Sequence, residues 1–204
     1  MSSNIKAIIF DFGGVLLDWN PRNLYEHYFP NDPQAMEEFL TEINFMEWNA
    51  QQDKGRPFAE GVALLSKEFP QHANLIRAYY ENWVNSIVGQ IDGSVEILIS
   101  LKQKGHPIYG LSNWSAETFP LARKRYQVFE LFDDYVLSGD INLIKPDAAI
   151  FHHALEKFGR TAQECLFIDD SQPNIITASR LGFDTILFES PTQLRDQLTA
   201  RKLL

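Results

Sequence analysis

The chain has 204 residues, is 45% hydrophobic and 22% charged, and carries a net charge of −9. That length suits one core with room for a small accessory domain, and the composition is ordinary for a globular protein. The acidic excess argues against nucleic acid or an anionic membrane as the main partner, although local cations can still reverse the field inside one pocket and admit an anionic substrate. Cys165 is the only cysteine, which excludes an intrachain disulfide and makes a thiolate metal cluster unexpected. No apolar run approaches the ~18 residues of a membrane-spanning helix, and none of signal-peptide length precedes the first strand. A cytoplasmic protein is expected.

Strands are expected at about 6–11, 107–112, 134–138, 165–169 and 184–188, where short β-branched and apolar runs end in turn residues. The first, Ala7-Ile8-Ile9-Phe10, runs into Asp11 and then Gly13-Gly14. Helical spacing appears over 94–102, 116–129, 147–158, 172–181 and 191–202, with Gly105, Gly159 and Gly182 as stops and Pro191 as a start. Alternating strands and helices predict an α/β fold, a doubly wound parallel sheet of Rossmann-like type. Residues 19–90 break the alternation. They show helical stretches at about 21–29, 33–48, 57–69 and 72–88, separated by Pro30, Pro33, the turn Asp53-Lys54-Gly55 and Pro70. The expected division is a core of 1–18 and 91–204 with an all-helical cap over 19–90.

Four strand ends carry the candidate chemistry. Asp11 follows the first strand; a carboxylate there points into the crevice where open α/β sheets bind ligands. Ser112-Asn113 ends the second, with a hydroxyl suited to a phosphate oxygen. Lys145-Pro146 offers a cation in a mostly acidic chain, the proline then starting a helix. Asp169-Asp170 ends the strand beginning at Cys165; adjacent carboxylates repel unless a cation or hydrogen bonds stabilise them, and Mg²⁺ takes such oxygen ligands. Cys165 itself reads as a small core residue.

In this order the motifs resemble the haloacid dehalogenase-like (HAD) hydrolase superfamily, in the branch with a helical cap after the first strand. The Asp169-Asp170-x-x-x-Asn174 pattern is similar to that of small bacterial α-glucose-1-phosphate phosphatases and of the N-terminal phosphatase domain of soluble epoxide hydrolase. The resemblance implies a hydrolase: a Mg²⁺-dependent phosphatase acting on a small phosphorylated metabolite, such as a sugar phosphate. Asp11 would be the nucleophile, forming an aspartyl-phosphate. Asp11, Asp170 and the Gly13 carbonyl would hold Mg²⁺, Asp169 would orient the metal shell or Lys145, and Ser112, Asn113 and Lys145 would hold the phosphoryl oxygens.

One position departs from that pattern. The family's phosphatases usually carry a second Asp two residues after the nucleophile as general acid and base, and here Gly13 stands there. Loss of a positioned acid/base typically costs ~10²–10⁴ in rate. Asp18 is one substitute, with helix capping as its ordinary alternative. A substrate with a good leaving group is another answer. A third is a catalytically weak phosphometabolite-binding or regulatory protein. Dehalogenases of the superfamily also lack this Asp, but they use a cap arginine, for which Arg22 and Arg56 are the candidates. The cap is rich in aromatics, mostly core by expectation, with Trp48 and Trp114 singled out for stacking on a sugar. Any cap aromatics left exposed would suit a homodimer.

Overall fold

Ala7 and Ile9 face one side of the central sheet, and Ile8 and Phe10 face the other. Both sides are covered, so every residue of this strand is fully buried, and the run is continuously apolar rather than alternating. The computed structural model describes residues 5–204; residues 1–4, which the expected core segment includes, lie outside the described residues.

In chain order the strands are β1 (Ala7–Phe10), β2 (Leu17–Trp19), β3 (Ile87–Gln90), β4 (Ile108–Ser112), β5 (Asp134–Leu137), β6 (Cys165–Asp169) and β7 (Asp184–Leu187). Five of them form one parallel sheet in the order β5-β4-β1-β6-β7. The order reverses at β1, which lies between β4 and β6, so the carboxyl ends of these three strands frame the switch-point crevice. All five expected strands of this sheet are present. The helices Ala148–Phe158, Gln172–Arg180 and Pro191–Ala200 also fall where expected. The Lys145–Pro146 bond is cis, and the helix after it starts at Ala148 rather than at the proline. Gly159 ends that helix in the left-handed conformation that glycine adopts without penalty.

β2 and β3 were not expected. They pair antiparallel, Leu17 opposite Gln90 and Asp18 opposite Gly89, and so bring together the two points where the chain leaves and rejoins the main sheet. The expected helix over 72–88 therefore ends early. It is α-helical over Ala73–Glu81, turns 3₁₀ over Trp83–Ser86 and becomes β3. The β-branched pair Ile87-Val88 fits a strand, and the ladder to a distant partner decides the outcome over local helical spacing. The expected helix over 33–48 is two, Pro33–Glu42 and Phe45–Asp53, broken at Asn44, whose φ of 45° is left-handed. The expected helix over 116–129 shortens to Phe119–Arg125, followed by a 3₁₀ turn over Gln127–Leu131.

That last change seats Phe129 against Phe12, with ring centroids 5.0 Å apart. Phe12 also packs edge-on against Trp114 and Phe132 and stacks on Phe119. Beneath it lies Gly110, where a Cβ would come within 2.3 Å of the Phe12 ring. The ring is enclosed and cannot move aside, so Gly110 is required for the residue after Asp11 to pack. Gly110→Ala is therefore expected to destabilise the fold by about 1–3 kcal/mol through overpacking. The measurement is the urea unfolding midpoint, shifted down with an unchanged slope.

Candidate active site

Phe10 is level with Gly110 on one side and Ile168 on the other, so Asp11, Leu111 and Asp169 emerge together at the carboxyl edge of the sheet. The Asp11 N–H still donates to the Ile168 carbonyl at 2.9 Å, which fixes the direction of its side chain. Asp11 Oδ1 accepts from Ser112 Oγ at 2.6 Å and from the Phe12 N–H at 2.7 Å. Asp11 Oδ2 lies 3.0 Å from Lys145 Nζ.

Lys145 is buried, and its ammonium has three partners: Asp11 Oδ2, Asp169 Oδ2 at 2.7 Å and the Leu111 carbonyl at 2.8 Å. Its main chain is held as firmly. Asn113 Oδ1 accepts from the Lys145 N–H at 2.8 Å, and Asn113 Nδ2 donates to the Lys145 carbonyl at 2.9 Å. The Asn113 side chain thus positions Lys145 while the residue also lines the cleft.

Asp169 is wholly buried and equally committed. Its Oδ1 accepts from the Ser171 N–H at 2.8 Å and Asn174 Nδ2 at 3.0 Å, while Oδ2 takes Lys145. Of its two expected roles, orienting Lys145 is the one this bonding favours. Asp170 instead faces the crevice, exposed. Gly14, at φ +74°, passes so close that a Cβ there would lie 2.2 Å from Asp170 Oδ2. Carboxylate oxygens of Asp11, Asp169 and Asp170 all fall within 4.8 Å of one another. Three carboxylates against one ammonium leave an excess of negative charge in an oxygen-lined site, a donor set that fits a hard divalent cation. Asp11 and Asp170, with the Gly13 carbonyl, are the groups available to hold it.

The crevice opens into a cleft of about 530 Å³ roofed by the helices between β2 and β3. Trp19, Arg22, Asn49, Asp53 and Trp83 line it from that side, and Trp114 from the sheet side. Asp18 does not: it is exposed on β2, a strand whose side chains alternate, and its neighbour Trp19 takes the inward position. Trp48 is also elsewhere, buried among Phe45, Phe58 and Tyr79 with its indole N–H on the Gly61 carbonyl. Trp114 lines the cleft but is packed against Phe12, Trp83 and Phe119. Of the arginines, Arg22 is ion-paired with Glu37, and Arg56 bonds Gln52 and the Trp48 carbonyl. Asp53 and Asn49 were missed because Asp53-Lys54-Gly55 reads as ordinary turn chemistry.

Burial sets the electrostatics. It pushes the Asp11 carboxyl up to about 7, Asp169 and Asp170 adding to the rise while Lys145 and Ser112 oppose it. Burial also disfavours the Lys145 charge, but Asp11 and Asp169 outweigh it and hold the ammonium above its usual range. Asp170 is raised by burial and by Asp169. Asp53, partly open to the cleft but walled by protein, is pushed up to about 8 by desolvation, reinforced by Asp11 and opposed by the Ser115 N–H. Raised carboxyls mean that the folded chain retains protons the unfolded chain has already released, so stability falls as pH rises from the ordinary carboxylate range through about 7–8. Metal-free protein is expected to melt at a higher temperature near about pH 6 than near about pH 9, and Asp53→Asn should shrink that difference. Melting curves across this range, recorded with a chelator, are the check.

Comparison with known proteins agrees with this architecture. Residues 5–182 match the family profile described as haloacid dehalogenase-like hydrolase. The chain is 27% identical over 184 residues to the sesquiterpene phosphatase astK of Aspergillus oryzae, covering 89% of each chain. It is 26% identical over 200 residues to a phosphoglycolate phosphatase of Haemophilus influenzae, covering 89% of this chain and 84% of that one. Among solved structures, a HAD family enzyme from Bacteroides thetaiotaomicron, in complex with magnesium and inorganic phosphate, superposes with a TM-score of 0.69 at 26% identity, over 91% of this chain and 95% of that one. A parallel sheet whose adjacent strand ends present Asp11, Ser112 and Asp169 to Lys145 from a neighbouring loop, matched to one family over most of its length, makes this chain a member of the haloacid dehalogenase-like hydrolases.

Proposed function

We propose that this hydrolase is a Mg²⁺-dependent phosphatase of small phosphorylated metabolites, with Asp11 as its nucleophile. The observation that carries the reading is the charge arrangement: Asp11, Asp169 and Asp170 crowd one ammonium at the mouth of a cleft. Such a site suits a cation together with a phosphoryl group, and phosphatases are among the relatives. Asp11 and Asp170 with the Gly13 carbonyl would hold Mg²⁺, which supplies charge neutralisation of the phosphoryl oxygens.

The chain's own residues account for the rest. Asp11 attacks phosphorus with Oδ2, the oxygen facing Lys145, while Ser112 and the Phe12 N–H hold Oδ1 and fix the plane of the carboxylate. Lys145 favours the ionised form of Asp11 and offers its ammonium to a phosphoryl oxygen in exchange for part of its bond to Asp11. Asp169 and Asn113 hold Lys145 in place, its side chain and its backbone respectively. Water then cleaves the aspartyl-phosphate and restores Asp11. The helical roof excludes bulk water during both steps.

For the substrate we favour a sugar phosphate. Asn49 is buried, lines the cleft, and its Oδ1 has no hydrogen-bond partner, so it is suited to accept from a substrate hydroxyl. Dehalogenation is disfavoured because both candidate guanidiniums, Arg22 and Arg56, are already engaged.

Purified protein is expected to release phosphate from p-nitrophenyl phosphate with Mg²⁺ present and to stop in EDTA. Asp11→Asn should lower the rate to background; turnover that survives it would rule out the covalent route. Gly14→Ala should displace Asp170 and raise the Mg²⁺ concentration needed for half-maximal rate, measured by titrating Mg²⁺ against activity.

A further inference from the structure

Phosphoryl transfer from an ester requires a proton for the departing oxygen, and hydrolysis of the aspartyl-phosphate requires a base for water. The titratable groups lining the cleft are Asp11, Arg22, Asp53, Lys145 and Asp170. Asp11 is the nucleophile and Asp170 faces the cation site. Arg22 is always charged and is paired with Glu37. Lys145 is held above its usual range by two carboxylates, which makes it a poor acid. No histidine lines the cleft among the described residues. Asp53 remains.

Asp53 is also fixed in place. It ends the helix Phe45–Asp53, and its carbonyl accepts from Ser138 Oγ on the sheet side. Its carboxylate accepts from Asn49 Nδ2 at 2.8 Å and from the Ser115 N–H, two residues beyond Asn113. Gly55 docks so tightly that a Cβ there would lie 2.1 Å from Asn142 Oδ1, and the Phe58 N–H donates to Glu117 at 2.9 Å. The turn 53–58 is thus bonded across the seam at several points, delivering a carboxyl from the roof into the cleft that holds Asp11.

Resting on the phosphatase reading above, we infer that Asp53 is the proton donor and acceptor of the reaction. As Asp11 Oδ2 bonds to phosphorus, the bond from phosphorus to the ester oxygen breaks, and the Asp53 carboxyl gives that oxygen its proton. Asp53, now a carboxylate, takes a proton from the water whose oxygen attacks phosphorus, and the bond from phosphorus to Asp11 breaks. The sum is ester plus water giving alcohol plus phosphate, with Asp53 reprotonated. Its raised carboxyl range, up to about 8, matches an acid that is protonated near neutral pH.

The test uses full-length protein, Mg²⁺, and two esters with unlike leaving groups, p-nitrophenyl phosphate and phenyl phosphate. Asp53→Asn should release p-nitrophenolate in a burst of one per chain and then turn over at least ~10²-fold more slowly than wild type. It should lose more on phenyl phosphate, whose leaving group needs the proton. Gly13→Asp added to Asp53→Asn should recover turnover, because a Cβ at position 13 meets nothing nearer than Trp19 Cβ at 3.9 Å. Wild-type turnover and leaving-group ratio retained in Asp53→Asn would overturn the inference and leave the phosphatase reading intact. No wild-type release of phosphate would overturn both. If Asp53→Asn does not fold, wild type alone decides: similar burst rates on the two esters support proton donation, and a far slower burst on phenyl phosphate contradicts it.

Discussion

Lys145 Nζ sits buried between Asp11 and Asp169, with the Leu111 carbonyl as its third partner, and the rest of the site is arranged to keep it there. A buried ammonium is tolerable only when its partners are fixed, because desolvation costs it several kcal/mol, on the order of what good geometry returns. Each partner is fixed in turn. Asp169 is held by Asn174 and the Ser171 N–H, and Asp11 by Ser112 and the Phe12 N–H. Asn113 holds the lysine backbone through two bonds. Six side chains, from three neighbouring strand ends, the loop before Ala148 and the first turn of the helix Gln172–Arg180, thereby form one network, and removing any member leaves another buried polar group uncompensated.

The network balances only part of the charge. Asp170 has no such support and lies against Gly14, at the open side of the cluster. The same crowding that raises Asp11 and Asp170 is what a divalent ion would relieve, so cation binding and the proposed catalysis would draw on one source of free energy. The seam between β2 and β3 completes the arrangement. By pairing the two crossings of the chain, it holds the helical roof over the carboxyl ends of β1, β4 and β6. The ties from Ser138 and Glu117 to the turn after Asp53 then bring roof and sheet edge together.

Much of this was legible in the chain. The sheet strands are short, apolar and bounded by turn residues, and Asp11, Ser112, Asp169 and Asp170 stand where a parallel sheet must present its ligands, whereas Lys145, expected at a strand end, reaches them from the loop before Ala148. Their types already announce charge balance. What was not legible depends on contacts made at a distance. Leu17–Trp19 pairs with a segment about 70 residues on, where the β-branched pair Ile87-Val88 is the one local mark and is outweighed by helical spacing before it. Asn113 has the residue type of a phosphoryl ligand, yet its amide matches the Lys145 backbone. Trp48 and Trp19 look alike in sequence; one is cap core and the other lines the cleft, because helix phase and strand alternation decide which face each takes. Asp53 reads as a turn residue until the roof folds over Asp11.

On the proposed function, the carboxylate cluster would be a cation site completed by Lys145. Calorimetric titration of metal-free protein with Mg²⁺ tests it most directly. The account predicts one ion per chain in the wild type and loss of that binding in Asp170→Asn with the fold retained. Absence of Mg²⁺ binding to the wild type, or binding that persists unchanged in Asp170→Asn, would contradict it.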